Sequence, residues 1–199
     1  MKSPRAILRT LVGLAIIVVS LNLAYGWLED SSLETTAESV REIALEVAAR
    51  EQPEKTQKNA ILALRQEFGN DDIMGHLVVD GTGIDYIVTQ AEDNSFYLTH
   101  DIWKNDSVAG WVFVDAYSSL DPPSKNIVVY GHNMRNPIMF HELREFKKSG
   151  FFFDHREVTF DTLYESGKYK IFAFYETTVD FPFNTSSFSS GEDFLSLIA

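Results

Sequence analysis

From residue 73 onward the chain consists of short β-rich runs separated by turn residues, and this pattern restricts the possible folds more than any other feature of the sequence. Aspartate, glycine and proline stand in the connections, for example at Asp80-Gly81 and Pro122-Pro123. The last two runs form a predicted hairpin around Glu165-Ser166-Gly167. The predicted strands are 73–79, 84–90, 110–116, 126–130, 158–164 and 168–176. Six short strands of this kind predict a mainly β fold, a small mixed barrel or sandwich.

Helical patterns precede and interrupt these strands. Ser31 and Glu34 have the spacing of a capping box, and an amphipathic stripe follows it as far as Pro53. A second predicted helix runs from Thr56 to Phe68, with Gly69 as its C-terminal cap. The first stripe consists of Leu33, Ala37, Val40, Ala44 and Val47, the second helix has Ile61, Leu64 and Phe68 on one face, and further helices are predicted at 137–148 and 191–199.

The N-terminus has the pattern of a membrane anchor. Residues 1–9 carry Lys2, Arg5 and Arg9, and residues 10–28 contain no charged side chain. Nineteen residues in a helix span about 28 Å, close to the hydrocarbon core of a bilayer. Because acidic residues follow, the charge pattern predicts a single-pass protein of the cell membrane with a cytoplasmic N-terminus and an extracellular domain. A cleaved signal peptide is the alternative, although its apolar region is normally shorter.

These patterns divide the chain into four parts. They are a cytoplasmic basic segment at 1–9, a transmembrane anchor at 10–28, an N-terminal helical segment at 29–70 and a β domain at 71–199. The helix that begins at residue 191 reaches Ala199 without a cap, and a sheet that awaits further strands leaves an unpaired edge. We therefore expect the β domain to be incomplete and to fold poorly in the 199 residues alone.

Composition excludes several classes of function. The formal net charge is −12, whereas nucleic-acid binding needs clustered Lys and Arg, so no nucleic-acid partner is expected. The sequence has no phosphate loop, dinucleotide fingerprint or Gly-x-Ser-x-Gly motif, and its histidines lack the spacing of a zinc pair. Neither a cofactor nor a metal is therefore expected. The chain contains no cysteine, so its stability must come from packing and not from disulfides.

The segment from Asn126 to Met134 carries the strongest chemical signal. Its β-rich run ends in Gly131-His132-Asn133, which places an imidazole just beyond a buried strand. Histidine titrates near neutral pH and can accept or donate a proton, so His132 is the candidate acid–base catalyst. A histidine taken alone is more often structural, and the Tyr-Gly-His-Asn-Met context is what favours catalysis. The other histidines, His76, His100, His141 and His155, are scattered along the chain.

Several short pieces resemble, in their order and spacing, the class B sortases, membrane-anchored cysteine transpeptidases that attach proteins to the bacterial cell wall. The pieces lie at 72–75, 81–90, 93–100, 127–134, 139–140 and 169–177. The Phe- and Ser-rich stretch near residues 181–190 is similar to the family's insertion between its sixth and seventh strands. The resemblance implies a mainly β, sortase-like mixed β-barrel with six of eight strands present, N-terminal helices and one transmembrane helix.

The resemblance also implies a reaction and its partners. The substrate would be the sorting-signal peptide of a surface protein, of the Asn-Pro-x-Thr-Asn kind, and the second partner a cell-wall precursor or pilin amine. A cysteine thiolate attacks a threonine carbonyl to give a thioacyl enzyme, with His132 transferring the proton and an arginine stabilising the oxyanion. In the family that cysteine and arginine lie on strands seven and eight, beyond the position of Ala199. The chain as written is therefore expected to be inactive, a copy truncated before its nucleophile.

By the same resemblance four residues line the groove for the signal peptide, namely Asn94, Leu98, Tyr130 and Thr177. Each also has a purely structural interpretation. Core packing explains Leu98 and Tyr130 equally well. Asn94 suits a turn, and Thr177 is a common β-former.

Two other functions remain as alternatives. A cysteine-free chain fits a catalytically dead, membrane-tethered pseudo-sortase that binds a sorting signal or acts as a scaffold in wall assembly. A hydrolase that uses His132 with a serine or a metal has less support. An in-frame Thr-Leu-x-Thr-Cys after the codon for Ala199 would distinguish a truncated enzyme from a pseudo-sortase.

Overall fold

The computed structural model describes residues 32–49 and 57–178, together with residues 185, 188, 190 and 192. The predicted anchor at 10–28, the capping residue Ser31 and nearly all of the helix predicted at 191–199 lie outside this part. Within it, no helix is both long and apolar enough to cross a bilayer. The chain divides into two compact units, Met1–Ser39 and Val40–Ala199.

The first helix, α1, covers residues 32–49. In the first unit the Thr36 hydroxyl donates a hydrogen bond to the carbonyl of Ser32 at 2.9 Å, within the helix itself. In the second unit Val40 and Val47 are buried, as the apolar stripe predicts for that part of the helix.

The second helix, α2, is Gln57–Phe68. It buries Ile61, Leu64 and Phe68, which confirms the predicted apolar face. The helix ends at Gly69, whose φ of +60° lies in the left-handed region, and the Asn70 N–H donates to the carbonyl of Arg65 at 3.0 Å. A glycine at this position ends a helix without steric cost, so the predicted cap is confirmed.

Among the described residues, six strands form one mixed sheet in a half-barrel arrangement, which confirms the predicted mainly β class. Their bounds are β1 Ile73–Val79, β2 Asp85–Thr89, β3 Phe113–Val114, β4 Val129–Tyr130, β5 Glu157–Thr162 and β6 Ser166–Lys170. The order across the sheet is β4-β3-β2-β1-β5-β6. The β2–β3 pair is parallel and the other neighbours are antiparallel.

The chain is fully buried where it enters β3. Residues 111–114 are at most 1% exposed. The Trp111 indole N–H donates to the carbonyl of Ile87 at 2.8 Å, and its ring meets that of Tyr86 edge to face. This buried run ends at Asp115, so the first polar side chain after it is fixed by the core.

The helix predicted at 137–148 is instead a 3-10 helix, His141–Lys147, followed by the short helix α3, Ser149–Asp154. Met139 has φ +51°, outside the right-handed helical region, so no helix can run through it. Its N–H donates to the Tyr86 hydroxyl at 2.8 Å in place of a helical bond. Tertiary contacts with β2 therefore overrule the local helical pattern.

The last predicted strand is also corrected. β6 begins earlier than predicted and ends at Lys170, so residues 171–178 are not in a strand. The ladder with β5 ends because the partner strand begins only at Glu157; the last bond nearby is Ile171 N–H to the carbonyl of Arg156 at 2.8 Å. The hairpin itself is confirmed, but its turn lies at residues 163–165, two residues before the predicted Glu165-Ser166-Gly167.

Candidate active site

His132 follows β4 by one intervening residue and is partly exposed. Its Nε2 lies 3.1 Å from the carbonyl oxygen of Leu98. Because a carbonyl only accepts hydrogen bonds, Nε2 carries the proton in this contact, and Nδ1 is the acceptor nitrogen of the neutral ring. This bond directly joins two of the residues that the sequence assigned to the site.

The loop that follows β4 holds the main chain at His132. The Phe140 N–H donates to the His132 carbonyl at 3.0 Å, and the Phe140 ring covers Gly131. The Met139 N–H donates to the hydroxyl of Tyr86, and burial raises the pKa of Tyr86, so the acceptor stays a neutral phenol. The position of the imidazole is therefore set by contacts that reach the sheet.

Asn94 and Tyr130 converge on one buried carboxylate. Asp115 is 1% exposed, and its Oδ2 accepts hydrogen bonds from Asn94 Nδ2 and from the Tyr130 hydroxyl, each at 2.8 Å. Its Oδ1 accepts the N–H of Tyr117 at 2.8 Å. The Ala116 N–H donates to Asn94 Oδ1 at 2.7 Å, so both ends of the Asn94 amide are engaged. A buried carboxylate with three donors is stable only while those donors stay in place.

Leu98 ends a 3-10 turn that is tied to the body of the domain through its neighbour Tyr97. The Tyr97 ring is fully buried, its hydroxyl donates to Asp72 at 2.9 Å, and Asn70 Nδ2 donates to it at 2.9 Å. Burial raises the pKa of Tyr97, which keeps the hydroxyl protonated. The Leu98 side chain is 41% exposed, which leaves an apolar surface beside His132.

The structure thus links four of the five predicted site residues in two pairs, His132 with Leu98 and Asn94 with Tyr130. Gly131 alone separates Tyr130 from His132, so the two pairs adjoin. Thr177 is exposed and lies in the stretch 171–178, which has no regular secondary structure. Within the described part of the chain, no hydrogen bond joins Thr177 to the other four.

Asp115 is a site residue that the sequence motifs do not indicate. The available signal was its position, because it is the first polar residue after the apolar run Trp111–Val114 and opens a Ser-containing turn. Gln90 fixes that turn by donating from Nε2 to the carbonyls of Asp115 and Ser118 at 2.9 and 2.8 Å. A carboxylate at such a place either faces solvent or accepts hydrogen bonds from neighbouring groups, and only the fold shows which of the two occurs.

The other histidines have structural partners. His76 bonds to Asp85 at 2.6 Å, His100 stacks on Phe96, His141 Nδ1 lies 2.7 Å from the Met134 carbonyl, and His155 lies 3.2 Å from Asp80. Among the described residues no group of three or more His, Cys, Asp or Glu side chains is arranged to hold a metal ion. His132 is distinguished from these four by its place beside the Asn94–Tyr130 pair.

Comparison with known proteins gives consistent relatives. No family model matches the chain. The chain is 34% identical over 125 residues to sortase B of Listeria monocytogenes, a match that covers 63% of this chain and 51% of that protein. The chain therefore spans about half the length of that relative. A cysteine-to-serine mutant of Clostridium perfringens sortase B superposes with a TM-score of 0.69 at 32% identity, over 81% of this chain and 75% of that one.

A Staphylococcus aureus sortase B–substrate complex shares the fold, with a TM-score of 0.77 at 24% identity over 86% of this chain and 77% of that one. The half-barrel sheet is thus that of a sortase-like domain. The chain belongs to the sortase B family.

Proposed function

We propose that the chain is the signal-peptide-binding and acid–base part of a sortase B transpeptidase. Asn94, Leu98, Tyr130 and Thr177 would line the peptide groove, and His132 would transfer protons. The observation that carries the proposal is the direct bond between His132 Nε2 and the Leu98 carbonyl, beside the Asn94–Tyr130 pair. A substrate complex of the S. aureus relative, on the same fold, is consistent with a peptide partner.

In the proposed reaction a cysteine thiolate attacks the threonine carbonyl of the sorting signal. The C–N bond breaks, and the departing amine takes a proton from the His132 imidazolium. An amine from the cell wall or a pilin then attacks the thioester and passes its proton to the imidazole, while the C–S bond breaks and the thiolate leaves, which restores the thiolate and the imidazolium. The 199 residues contain no cysteine, so they do not supply this thiol.

The 199 residues contain no cysteine, and a pseudo-sortase that binds the signal without cleaving it is the second candidate function. The two candidates make different predictions about the gene. A cysteine codon in frame after that of Ala199 supports the transpeptidase. A stop codon at that point, together with stable peptide binding, supports the pseudo-sortase.

For either function, we propose that residues 10–28 tether the domain to the outer face of the cell membrane. The support is the length of this uncharged stretch and the cations that precede it. A tethered domain would meet sorting signals and wall precursors where they leave the membrane.

The test of the transpeptidase is a chimera in which the segment that follows the matched region of C. perfringens sortase B is joined after Ala199. It should cleave a quenched fluorescent peptide of the Asn-Pro-x-Thr-Asn kind, while the chain as written should not. His132→Ala in the chimera should lower kcat/KM by about 10²- to 10⁴-fold, the range for a general acid–base group. His141→Ala is the matched control, because the His141 ring bonds to the nearby Met134 carbonyl, and it should retain most activity.

Equal activity of the chimera and its His132→Ala variant would remove His132 from the chemistry. Peptide cleavage by the cysteine-free chain itself would contradict the thiol mechanism. Binding without cleavage by both chain and chimera would favour the pseudo-sortase.

A further inference from the structure

Asp115 contacts Asn94 and Tyr130 through the same oxygen atom, which makes these two side chains neighbours. The carboxylate is nine-tenths or more buried and has three hydrogen-bond donors. An ionised carboxylate only accepts hydrogen bonds, so each group that bonds to it must be the donor. The direction of every bond in this cluster is therefore fixed by chemistry and not only by distance.

The Asn94 amide has a single allowed orientation. Its Oδ1 accepts the Ala116 N–H, and one Nδ2 hydrogen goes to Asp115. A flipped amide would set oxygen against the carboxylate and NH₂ against the Ala116 N–H, which loses both bonds. The second Nδ2 hydrogen is what Asn94 can offer to a ligand.

Tyr130 has the opposite role toward a ligand, that of a hydrogen-bond acceptor. Its hydroxyl proton is directed to Asp115 Oδ2 at 2.8 Å. Toward any further partner its oxygen can therefore only accept a hydrogen bond. Without Asp115, the Tyr130 hydroxyl could donate its proton to whatever approached, and only the Ala116 N–H would orient the Asn94 amide.

We propose that Asp115 is a positioning residue that sets the hydrogen-bond polarity of the peptide groove, with Asn94 as donor and Tyr130 as acceptor. This inference rests on the proposed function. The complementary ligand carries a carbonyl for Asn94 and an adjacent N–H for Tyr130, which is the pair presented by an amide. A carboxylate in the same place would bring no donor and would add a negative charge next to Asp115.

The test is binding of a fluorescent Asn-Pro-Ala-Thr-Asn peptide to the full 199-residue chain in detergent, measured by anisotropy. Asp115→Asn should raise Kd about tenfold, because its single amide oxygen cannot accept from Asn94, Tyr130 and the Tyr117 N–H at once, so the amide sets an NH₂ group against one of these donors and the fixed geometry of the cluster is lost. Asp154→Asn, which removes the same charge from an exposed position on α3, should leave Kd unchanged. Two further peptides, each with one Asn replaced by Asp, show which amide contacts Asn94 and Tyr130. One of them should bind the wild type at least tenfold more weakly than the unmodified peptide does, and this difference should be absent in Asp115→Asn.

Coupling between variants separates positioning from a merely structural role. Asn94→Ala should raise Kd about tenfold in the wild type and less than about twofold in the Asp115→Asn background, because the Asn94 amide there lacks the carboxylate that holds its Nδ2 group in place. Equal effects of Asn94→Ala in both backgrounds would overturn the proposal. So would wild-type affinity in Asp115→Asn.

A measurement on the chain without peptide tests the role of Asp115 independently of the proposed function. The side-chain ¹⁵N–¹H signals of Asn94 should be two resolved, slowly exchanging resonances, and Tyr130→Phe should shift them, because removing one donor strengthens the bond that remains to Asp115. Unshifted signals would overturn the role of Asp115. Because Tyr130→Phe leaves Asp115 in place, this test also works if Asp115→Asn does not fold. Failure of the wild type to bind the peptide would instead overturn the proposed function alone.

Discussion

At the scale of single residues, the site depends on close contacts between the chain before His132 and the loop after it. A Cβ added at Gly131 would lie 2.8 Å from carbon atoms of the Phe140 ring. The Phe140 N–H in turn holds the His132 carbonyl at 3.0 Å. Gly131 is therefore required here for space, because an aromatic ring covers its α-carbon.

Gly131→Ala should destabilise the domain and displace the imidazole. The methyl group must push the Phe140 ring aside, and overpacking of this kind costs about 1–3 kcal/mol in the free energy of unfolding. Urea denaturation followed by circular dichroism measures that loss. Gly150→Ala is the matched control, because nothing lies within 4 Å of an added Cβ there. Equal stability of Gly131→Ala and the wild type would show that the Phe140 ring moves aside without a cost in free energy.

At the scale of elements, an ionic contact connects the second-unit part of α1 with the sheet. The Arg41 guanidinium lies 3.3 Å from one Asp85 carboxylate oxygen, and His76 Nε2 lies 2.6 Å from the other. The hydrogen bond from His76, with a smaller effect of Arg41, holds the pKa of Asp85 below its ordinary value of 3.8. These residues border a cavity of about 230 Å³ between α1, α2 and the sheet.

Asp85 should make the domain sensitive to acid. A carboxyl whose pKa is lowered by folding contributes stability above its ordinary pKa of 3.8, and that contribution is lost as the pH falls through the folded-state pKa. Urea midpoints between pH 7 and pH 3 should therefore fall less steeply for Asp85→Asn than for the wild type. Asp154→Asn, an exposed charge on α3, should retain the wild-type dependence on pH. Identical curves for Asp85→Asn and the wild type would show that this contact contributes no stability.

At the scale of the whole molecule, the proposed function requires the domain to lie outside the cell. The structure describes no residue before 32, so the position of the domain relative to the membrane rests on the sequence pattern at 1–30. The cations of residues 1–9 and the acidic pair after residue 28 give the same orientation.

Protease added to intact cells should therefore degrade the part of the chain after residue 30 and leave a small membrane-bound fragment. Detection of a tag at the N-terminus and of another at the C-terminus, by immunoblot before and after lysis, measures this. Replacing Lys2, Arg5 and Arg9 with glutamate is the control, since it removes the charges that set the orientation. Protection of the whole chain in intact cells would contradict the proposed topology.

Local sequence determined the features whose physical cause is local. The faces of α1 and α2, the cap at Gly69, strand β1 and the β5–β6 hairpin follow from apolar periodicity and turn residues, and all are present. The residue order around Gly131-His132-Asn133 likewise gave the family and the candidate acid–base group. These signals depend on neighbours within a few positions, which is why a single sequence carries them.

Only the tertiary structure decided the features that depend on distant partners. Met139 leaves the helical region because its N–H is bonded to Tyr86 on β2, and β6 stops where its partner strand has no further residues. Asp115 joins Asn94 to Tyr130 across more than twenty residues of chain, since hydrogen bonds to a buried carboxylate form only after the core has folded around it.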